Sequence, residues 1–221
     1  MPQRKKERPT PGLPQRMRAA AIDRFGPPSA ITLHTLPVPH PGPREVLIAL
    51  HAAGVGEWDE AIRDGSWKLS DRPKFPLVLG TDGAGIVVAK GARVRRFRLG
   101  DRVWAYDAGG FYAEYVAVAE QKAGQVPRRL DLLQAGAGAV TALTALQGIE
   151  ALRVKKGETV LVFGASGAVG TPAVQFAKCR KARVLATASG RKAASLVRRL
   201  GADAVFDARS SHAIEQLREL A

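Results

Sequence analysis

Cysteine is almost absent from this sequence, whose 221 residues include one, Cys179. The chain can therefore form no internal disulfide and no cysteine-based zinc site, because structural zinc sites combine several Cys or His ligands. Since Cys179 falls within a predicted helix, we expect it to pack in the interior. Long apolar runs are also missing, and the basic start leads into proline and polar residues instead of a signal peptide's apolar segment. We therefore expect a cytoplasmic protein with no membrane partner.

Acidic residues are too few to balance the basic ones, and the net charge is +14. This raises the question of nucleic acid as a partner. The first 16 residues are basic and proline-rich without hydrophobic periodicity, so we predict a disordered basic tail over residues 1–16. Because Met17 opens a predicted strand, translation starting at Met17 is an alternative in which this tail is not made. Elsewhere the arginines lie along helices without interleaved aromatics, which argues against a nucleic-acid module. Salt-dependent binding through the tail alone stays open.

One stretch indicates a ligand. The apolar, β-favouring residues 160–163 run directly into Gly164, Gly167 and Gly170, and a helix-compatible segment follows. This is the strand, glycine turn and helix of a dinucleotide-binding unit, in which bare backbone N–H groups and a helix N-terminus meet the pyrophosphate. The spacing is not the commonest fingerprint, so a ligand-free glycine turn is the alternative, but a second predicted strand at 182–188 favours a nucleotide. The predicted pyrophosphate-binding residues are Gly164, Ala165, Ser166, Gly167, Ala168, Val169 and Gly170.

The end of the second predicted strand bears on which dinucleotide binds. NAD-specific sites usually place Asp or Glu there to hold the ribose 2′-hydroxyl. This chain has no acid between Ala188 and Lys192. A hydroxyl and two cations suit a 2′-phosphate, and the alternative is a solvated helix start in a basic protein. We therefore expect NADP(H), with Ser189, Arg191 and Lys192 holding the 2′-phosphate.

The rest of the pattern divides the chain into two predicted domains. Short strands punctuated by prolines run from Met17 to about Ala123. The predicted fold class is α/β, with a β-rich domain over residues 17–135 and a partial, three-strand Rossmann dinucleotide-binding domain over residues 136–221. Helical segments are predicted at 57–65, 130–152, 191–201 and 211–220, and the third Rossmann strand at 203–208.

From Met17 onward the chain carries a series of motifs in a familiar order: MRAAAIDRFG, EVLIALHAAGV, FPLVLGTDGAGIVVAKGARV, GDRV, GFYAEYVAV, TALTALQGI and LGADAVFD. With these motifs it resembles the zinc-independent quinone oxidoreductase (zeta-crystallin-like) branch of the medium-chain dehydrogenase/reductases. The resemblance implies a GroES-like catalytic domain, a Rossmann domain, and NADPH-dependent reduction of a quinone or an α,β-unsaturated carbonyl. It implies no metal, since Gly56 and the triplet Gly80, Thr81, Asp82 stand where the zinc-dependent branch has Cys and Gly-His-Glu.

By the same resemblance, Thr144 lies near the nicotinamide, and Trp58 and Asp59 line the substrate side. Each has a structural alternative: Thr144 as a helix-packing residue, Trp58 as a core aromatic, and Asp59 as a helix-surface charge. No side chain is assigned as a catalytic acid or base. Quinone reduction does not require one, because the oxygen can take its proton from solvent.

The resemblance has departures. Gly56 replaces an Asn that is frequent in this branch, and the loop at residues 107–110 is short. The C-terminal part of the family is missing, so we expect a C-terminally truncated chain with an exposed sheet edge. That part supplies much of the family's dimer contact, and a homodimer stays open. The alternative to an active enzyme is a non-catalytic NADP(H)-binding remnant.

Overall fold

The structure is a computed structural model that describes residues 12–67, 73–107, 109–207, 209–210, 215 and 218. Two compact units separate between Ala139 and Val140, near the boundary predicted after residue 135. Residues 1–11 of the predicted tail lie outside the described residues. So does the helix predicted over 211–220, apart from Glu215 and Arg218.

The first unit consists of antiparallel sheets. One has three strands in the order β2-β1-β4, and the other has five in the order β7-β3-β5-β6-β8. The last strand was not predicted, because its sequence Ala-Gly-Gln has no β-branched or aromatic residue, and it forms by pairing with β6. The strands are β1 Arg16–Ile22, β2 Ile31–Pro37, β3 Glu45–Ala53, β4 Leu77–Val78, β5 Asp82–Lys90, β6 Arg102–Tyr106, β7 Tyr115–Ala119 and β8 Ala123–Gln125.

Strand β3 is buried on both faces, which explains its continuous apolar run. Val46 and Ile48 pack on one face in a cluster with Phe111. Leu47, which points to the opposite face because side chains alternate along a strand, packs with Met17 in a second cluster. Strand β3 thus contributes to two core clusters of the first unit.

Helix α1, Glu57–Asp64, lies where it was predicted and ends at Gly65, whose φ of +85° is left-handed. The segment predicted as helical over 130–152 contains two helices, α2 Leu132–Gly136 and α3 Ala139–Ala151. The break follows Gly136, where a Cβ atom would lie 2.6 Å from the Cβ of Ala52. Close packing of α2 against β3 therefore interrupts a sequence whose composition is helical throughout.

The second unit alternates strands and helices after α3. Its strands form a parallel sheet in the order β11-β10-β9, which confirms a three-strand Rossmann-like arrangement. Cys179 is the last residue of α4 and is exposed, so the prediction that it packs in the interior was wrong. The elements are β9 Thr159–Val162, α4 Gly170–Cys179, β10 Arg183–Thr187, α5 Arg191–Arg199 and β11 Ala204–Phe206.

Strand β9 forms one edge of this sheet within the described residues. Leu161 on β9 is 50% exposed, and Phe163 just after it is 78% exposed. The strand at this edge of the described sheet therefore carries and leads into exposed apolar side chains. No helix in the described part of the chain combines the length and apolar character needed to cross a membrane.

Candidate functional site

The glycine stretch forms the turn between β9 and α4. Gly164 has a φ of +66°, a left-handed conformation that glycine adopts without strain. Its carbonyl accepts a hydrogen bond from the N–H of Gly167 at 2.9 Å, and the Gly167 carbonyl accepts one from the N–H of Thr171 at 3.0 Å. These bonds close the turn directly in front of α4, as the strand–turn–helix pattern predicted.

Gly170, the first residue of α4, allows the helix to approach the start of the turn. A Cβ atom at this position would lie 2.3 Å from the carbonyl oxygen of Gly164 and 2.6 Å from the Cα of Ala165. Ala165 is fully buried, so the turn has no room to move away. A side chain at position 170 is therefore incompatible with this turn.

The turn is also fastened to the neighbouring strand by Thr187, the last residue of β10. Its hydroxyl accepts a hydrogen bond from the N–H of Gly164 at 2.9 Å, and its carbonyl accepts one from the N–H of Ala165 at 2.9 Å. Thr187 is 2% exposed. The sequence analysis missed this residue, because Thr in a strand carries no signal for a contact 23 residues away.

The turn presents backbone N–H groups to solvent. Among the described residues, the N–H groups of Ser166, Ala168 and Val169 have no backbone or side-chain acceptor. Ala168 and Val169 are exposed, and α4 follows with the partial positive charge of its N-terminus. These free N–H groups fit the pyrophosphate of a dinucleotide. The turn that carries them is tight, since it has no space for a Cβ atom at residue 170.

The residues predicted to hold the 2′-phosphate lie together at the carboxyl end of β10. Ser189 is exposed, and Gly190, with a φ of +85°, turns the chain into α5. Arg191 and Lys192 are the first two residues of that helix, and both are exposed. Since Thr187 bonds to the glycine turn, this basic segment lies at the same end of the sheet as the exposed N–H groups.

Two further charged residues lie at this end of the sheet, and the sequence analysis did not single them out. Asp207 directly follows β11, and Arg209 donates to it from its backbone N–H at 3.0 Å and from its guanidinium at 3.3 Å. The side-chain and backbone hydrogen bonds of Arg209 lower the pKa of Asp207 to about 2. The sequence signal that could have revealed them is the Asp-x-Arg of residues 207–209, at the end of the third predicted strand.

Thr144 is an exposed residue of α3. Its hydroxyl donates to the carbonyl of Val140 at 2.8 Å, an intrahelical bond that a helical Thr commonly makes. Its predicted place near a nicotinamide stays a prediction.

In the first unit, Trp58 and Asp59 lie side by side in α1. Asp59 is 5% exposed, and its Oδ2 accepts hydrogen bonds from the N–H of Gly56 at 2.9 Å and the hydroxyl of Tyr112 at 3.1 Å. Asp59 is therefore not a helix-surface charge. Its Oδ1 is buried without a hydrogen-bond partner in the described part of the chain. Trp58 is half-buried and donates to Thr81 Oγ1.

Tyr112 remains protonated in this surrounding. Burial, then the charge of Asp59 and the hydrogen bond to it, raise the pKa of Tyr112 above its ordinary value. The phenol is therefore a hydrogen-bond donor at neutral pH. The sequence analysis missed the pairing of Tyr112 with Asp59, because the two residues are 53 positions apart.

Tyr112 also lines an open groove of about 380 Å³ in the first unit. Neither Trp58 nor Asp59 is among the residues that line it. The groove is bordered by Arg18, Ala19, Ala20, Leu33, Leu50, His51, Ala52, Ala53, Phe111, Tyr112, Ala113 and Glu114.

The residues present do not fit a zinc ion. Within the described ranges, no group of three or more His, Cys, Asp or Glu side chains could hold a metal. At the positions compared with the zinc-dependent branch, Gly56 has no side-chain donor and the hydroxyl of Thr81 is engaged by Trp58. The described residues at these positions therefore supply no set of zinc ligands.

Comparison with known proteins matches both units. Residues 42–128 match the alcohol dehydrogenase GroES-like domain, and residues 168–221 match the family described as zinc-binding dehydrogenase. Quinone oxidoreductase of Homo sapiens is 36% identical over 206 residues, which are 92% of this chain and 62% of that protein. The chain belongs to the medium-chain dehydrogenase/reductase family. Within it, the relatives support the quinone oxidoreductase branch.

Solved structures of the family agree with this assignment. Escherichia coli quinone oxidoreductase complexed with NADPH superposes with a TM-score of 0.79 at 28% identity, over 92% of this chain and 62% of that chain. A structure described as an NAD-dependent alcohol dehydrogenase has a TM-score of 0.85 at 33% identity, over 93% and 67%. The predicted GroES-like and partial Rossmann domains are confirmed. This chain spans about 62% of the length of the quinone oxidoreductases it matches.

Proposed function

We propose that this chain binds NADP(H) and serves a zinc-independent hydride transfer to a quinone or an α,β-unsaturated carbonyl. The observation that carries the proposal is the glycine turn, held by Thr187 and pointing unpaired N–H groups outward beside the basic end of β10. Such a turn suits a dinucleotide pyrophosphate. The small-molecule substrate is inferred from the quinone oxidoreductase relatives.

The preference for NADP(H) rests on charge. Segment 188–192 has no carboxylate, while Ser189, Arg191 and Lys192 are exposed in it. Cations and a hydroxyl form charge-assisted bonds with a phosphate. One structural relative is an NADPH complex and another is described as NAD-dependent. Because both cofactors occur among similar folds, the preference for NADP(H) is supported by the residues of segment 188–192 of this chain.

When bound, the nicotinamide supplies the hydride. The chain's own residues would hold and orient the cofactor, with the N–H groups of Ser166, Ala168 and Val169 available to bind the pyrophosphate. A quinone that accepts a hydride needs one further proton, which solvent can give, so no protein acid is required. On the substrate side we assign Trp58 and Asp59. Asp59 accepts hydrogen bonds from Gly56 and Tyr112 and so positions these residues on the substrate side. It takes no part in the chemical step.

The proposal is tested by titrating the purified chain with NADPH and, separately, with 2′,5′-ADP, followed by a quinone turnover assay. We expect both ligands to bind, because the adenosine-side elements are all present in the described structure. Turnover above the blank would support the reductase assignment. Failure of both ligands to bind would refute the nucleotide site.

The 2′-phosphate assignment predicts a selective loss in one double variant. Replacing Arg191 and Lys192 with Ala removes two cations that can form charge-assisted bonds, so the affinity for 2′,5′-ADP should fall by about 10- to 100-fold, or roughly 1.4–2.7 kcal/mol. The affinity for 5′-AMP, which lacks the 2′-phosphate, should change less than about threefold. Calorimetric titration measures both.

The matched control replaces Arg198 and Arg199, at the other end of α5, with Ala. This variant has the same net charge as the first, and both positions are exposed. If it weakened 2′,5′-ADP as much as the Arg191/Lys192 variant, the effect would be long-range charge and the assignment would be wrong. Equal losses for 2′,5′-ADP and 5′-AMP would also contradict it.

The alternative to an active enzyme, a non-catalytic NADP(H)-binding protein, predicts a different result in the same assay. The chain spans about 62% of its quinone oxidoreductase relatives, and the described part of its parallel sheet has three strands. A non-catalytic NADP(H)-binding protein would bind 2′,5′-ADP without quinone turnover, which the same assay detects. Homodimer formation and a cytoplasmic location remain predictions.

A further inference from the structure

In the second unit, a carboxylate that follows strand β11 lies beside the carboxyl end of strand β10. Asp207 follows β11, and the N–H of Ala188 bonds to the carbonyl of Phe206 at 2.9 Å, so the two strand ends run side by side. The N–H of Gly190 lies 3.4 Å from Asp207 Oδ2. The Asp207 carboxylate therefore lies next to segment 188–192, which contains no acidic residue of its own.

Arg209 covers this carboxylate. Its backbone N–H and its Nε donate to Asp207 Oδ1 at 3.0 and 3.3 Å, and its Nη2 lies 3.4 Å from Oδ2. The same Nη2 would lie 3.9 Å from a Cβ built at Gly190. The guanidinium thus lies beside both the Asp207 carboxylate and the turn that leads into Arg191 and Lys192.

The positions of Asp207 and Arg209 set the charge that a bound 2′-phosphate would meet at this end of the sheet. A carboxylate at the end of the second strand favours a ribose 2′-hydroxyl and repels a 2′-phosphate. Asp207 is ionised at neutral pH, as an ordinary Asp is, and the hydrogen bonds from Arg209 lower its pKa further, to about 2. Without Arg209 its negative charge would face the segment that carries Ser189, Arg191 and Lys192.

We propose that Arg209 is a specificity-determining residue, which masks the Asp207 carboxylate and adds a third cation to the 2′-phosphate subsite. The inference rests on the proposed NADP(H) site. It makes Asp207 a positioning residue that holds the guanidinium beside Gly190. Selectivity for NADP(H) then depends on two strand ends, not on the β10 segment alone.

The test compares Arg209→Ala, Asp207→Asn and the double variant by titration with 2′,5′-ADP and 5′-AMP. Arg209→Ala should lower the affinity for 2′,5′-ADP about tenfold or more, because a cation is lost and a carboxylate is unmasked, and should change 5′-AMP less than about threefold. Adding Asp207→Asn to Arg209→Ala should recover part of the loss, since the repulsion is gone. A merely structural role for Arg209 would not give this recovery.

Arg198→Ala is the matched control, because it removes the same charge from an exposed position of α5. Thermal unfolding of each variant checks that the fold is kept, and Arg209→Gln replaces Arg209→Ala if the latter unfolds. An Arg209 variant that behaves like Arg198→Ala, or a double variant with no recovery, would overturn the inference. If the unaltered chain binds neither 2′,5′-ADP nor NADPH, the proposed function itself fails, which is a separate and recognisable result.

Discussion

Gly170→Ala should abolish measurable NADPH binding and lower the free energy of unfolding of the second unit by at least about 2 kcal/mol. The added Cβ would lie 2.3 Å from the carbonyl oxygen of Gly164 and 2.6 Å from the Cα of Ala165. Both contacts are with backbone, which cannot turn aside as a flexible side chain can. The helix must therefore separate from the glycine turn, and the exposed N–H groups proposed to bind the pyrophosphate lose their arrangement. Titration with NADPH and thermal unfolding followed by circular dichroism measure the two effects.

Gly148→Ala is the control, since it makes the same chemical change in helix α3. A Cβ at Gly148 meets nothing within 4 Å, and Ala is the better helix former by about 0.5–1 kcal/mol. This variant should be slightly stabilised and should bind NADPH unchanged. Normal NADPH affinity in Gly170→Ala would show that the turn does not hold the cofactor.

Asp59→Ala should destabilise the first unit by about 2–3 kcal/mol, the second-largest effect we expect. The change removes the acceptor at the start of α1 for the N–H of Gly56 and leaves the half-buried hydroxyl of Tyr112 without its partner. A cavity also opens, because Asp59 is 5% exposed. Urea unfolding followed by tryptophan fluorescence reports this unit selectively, since the chain's three tryptophans are Trp58, Trp67 and Trp104.

Glu60→Ala is the matched control on the same helix. Glu60 is an exposed acid whose side chain pairs with Arg63 at 3.3 Å, and surface changes of this kind usually stay within about 0.5 kcal/mol. Tyr112→Phe should cost about 0.5–1.5 kcal/mol, because it removes one hydrogen bond and keeps the ring. An Asp59→Ala variant no less stable than Glu60→Ala would mean that the buried carboxyl is not a structural anchor.

Local patterns in the sequence predicted the elements that depend on neighbouring residues. The apolar run 160–163 and the three glycines after it gave the strand, turn and helix, and α1 formed within the predicted segment 57–65. Strand β8 was missed because Ala-Gly-Gln has no strand propensity and pairs only when β6 is present. The division of segment 130–152 into two helices was missed for a related reason, since the packing of Gly136 against Ala52 is not visible in helical composition.

The hydrogen-bond partners that could not be predicted at the site are residues far apart in the sequence. Trp58 and Asp59 were expected on the substrate side, but the bond from Tyr112 to Asp59 joins residues 53 positions apart. Thr187 holds the glycine turn across 23 positions. Such partners have no local signature, because their chemistry depends on which strand ends the fold brings together.

The sequence by itself determined the family, the folds of the two domains and the position of the glycine turn, because each rests on short-range patterns of apolar, glycine and basic residues. Only the tertiary structure decided how that turn is held and what charge surrounds it. The basic segment after β10 looked free of acids, yet the parallel pairing of β11 with β10 places Asp207 beside it and Arg209 over Asp207. Strand pairing sets the electrostatics of this end of the sheet, and pairing depends on the whole fold.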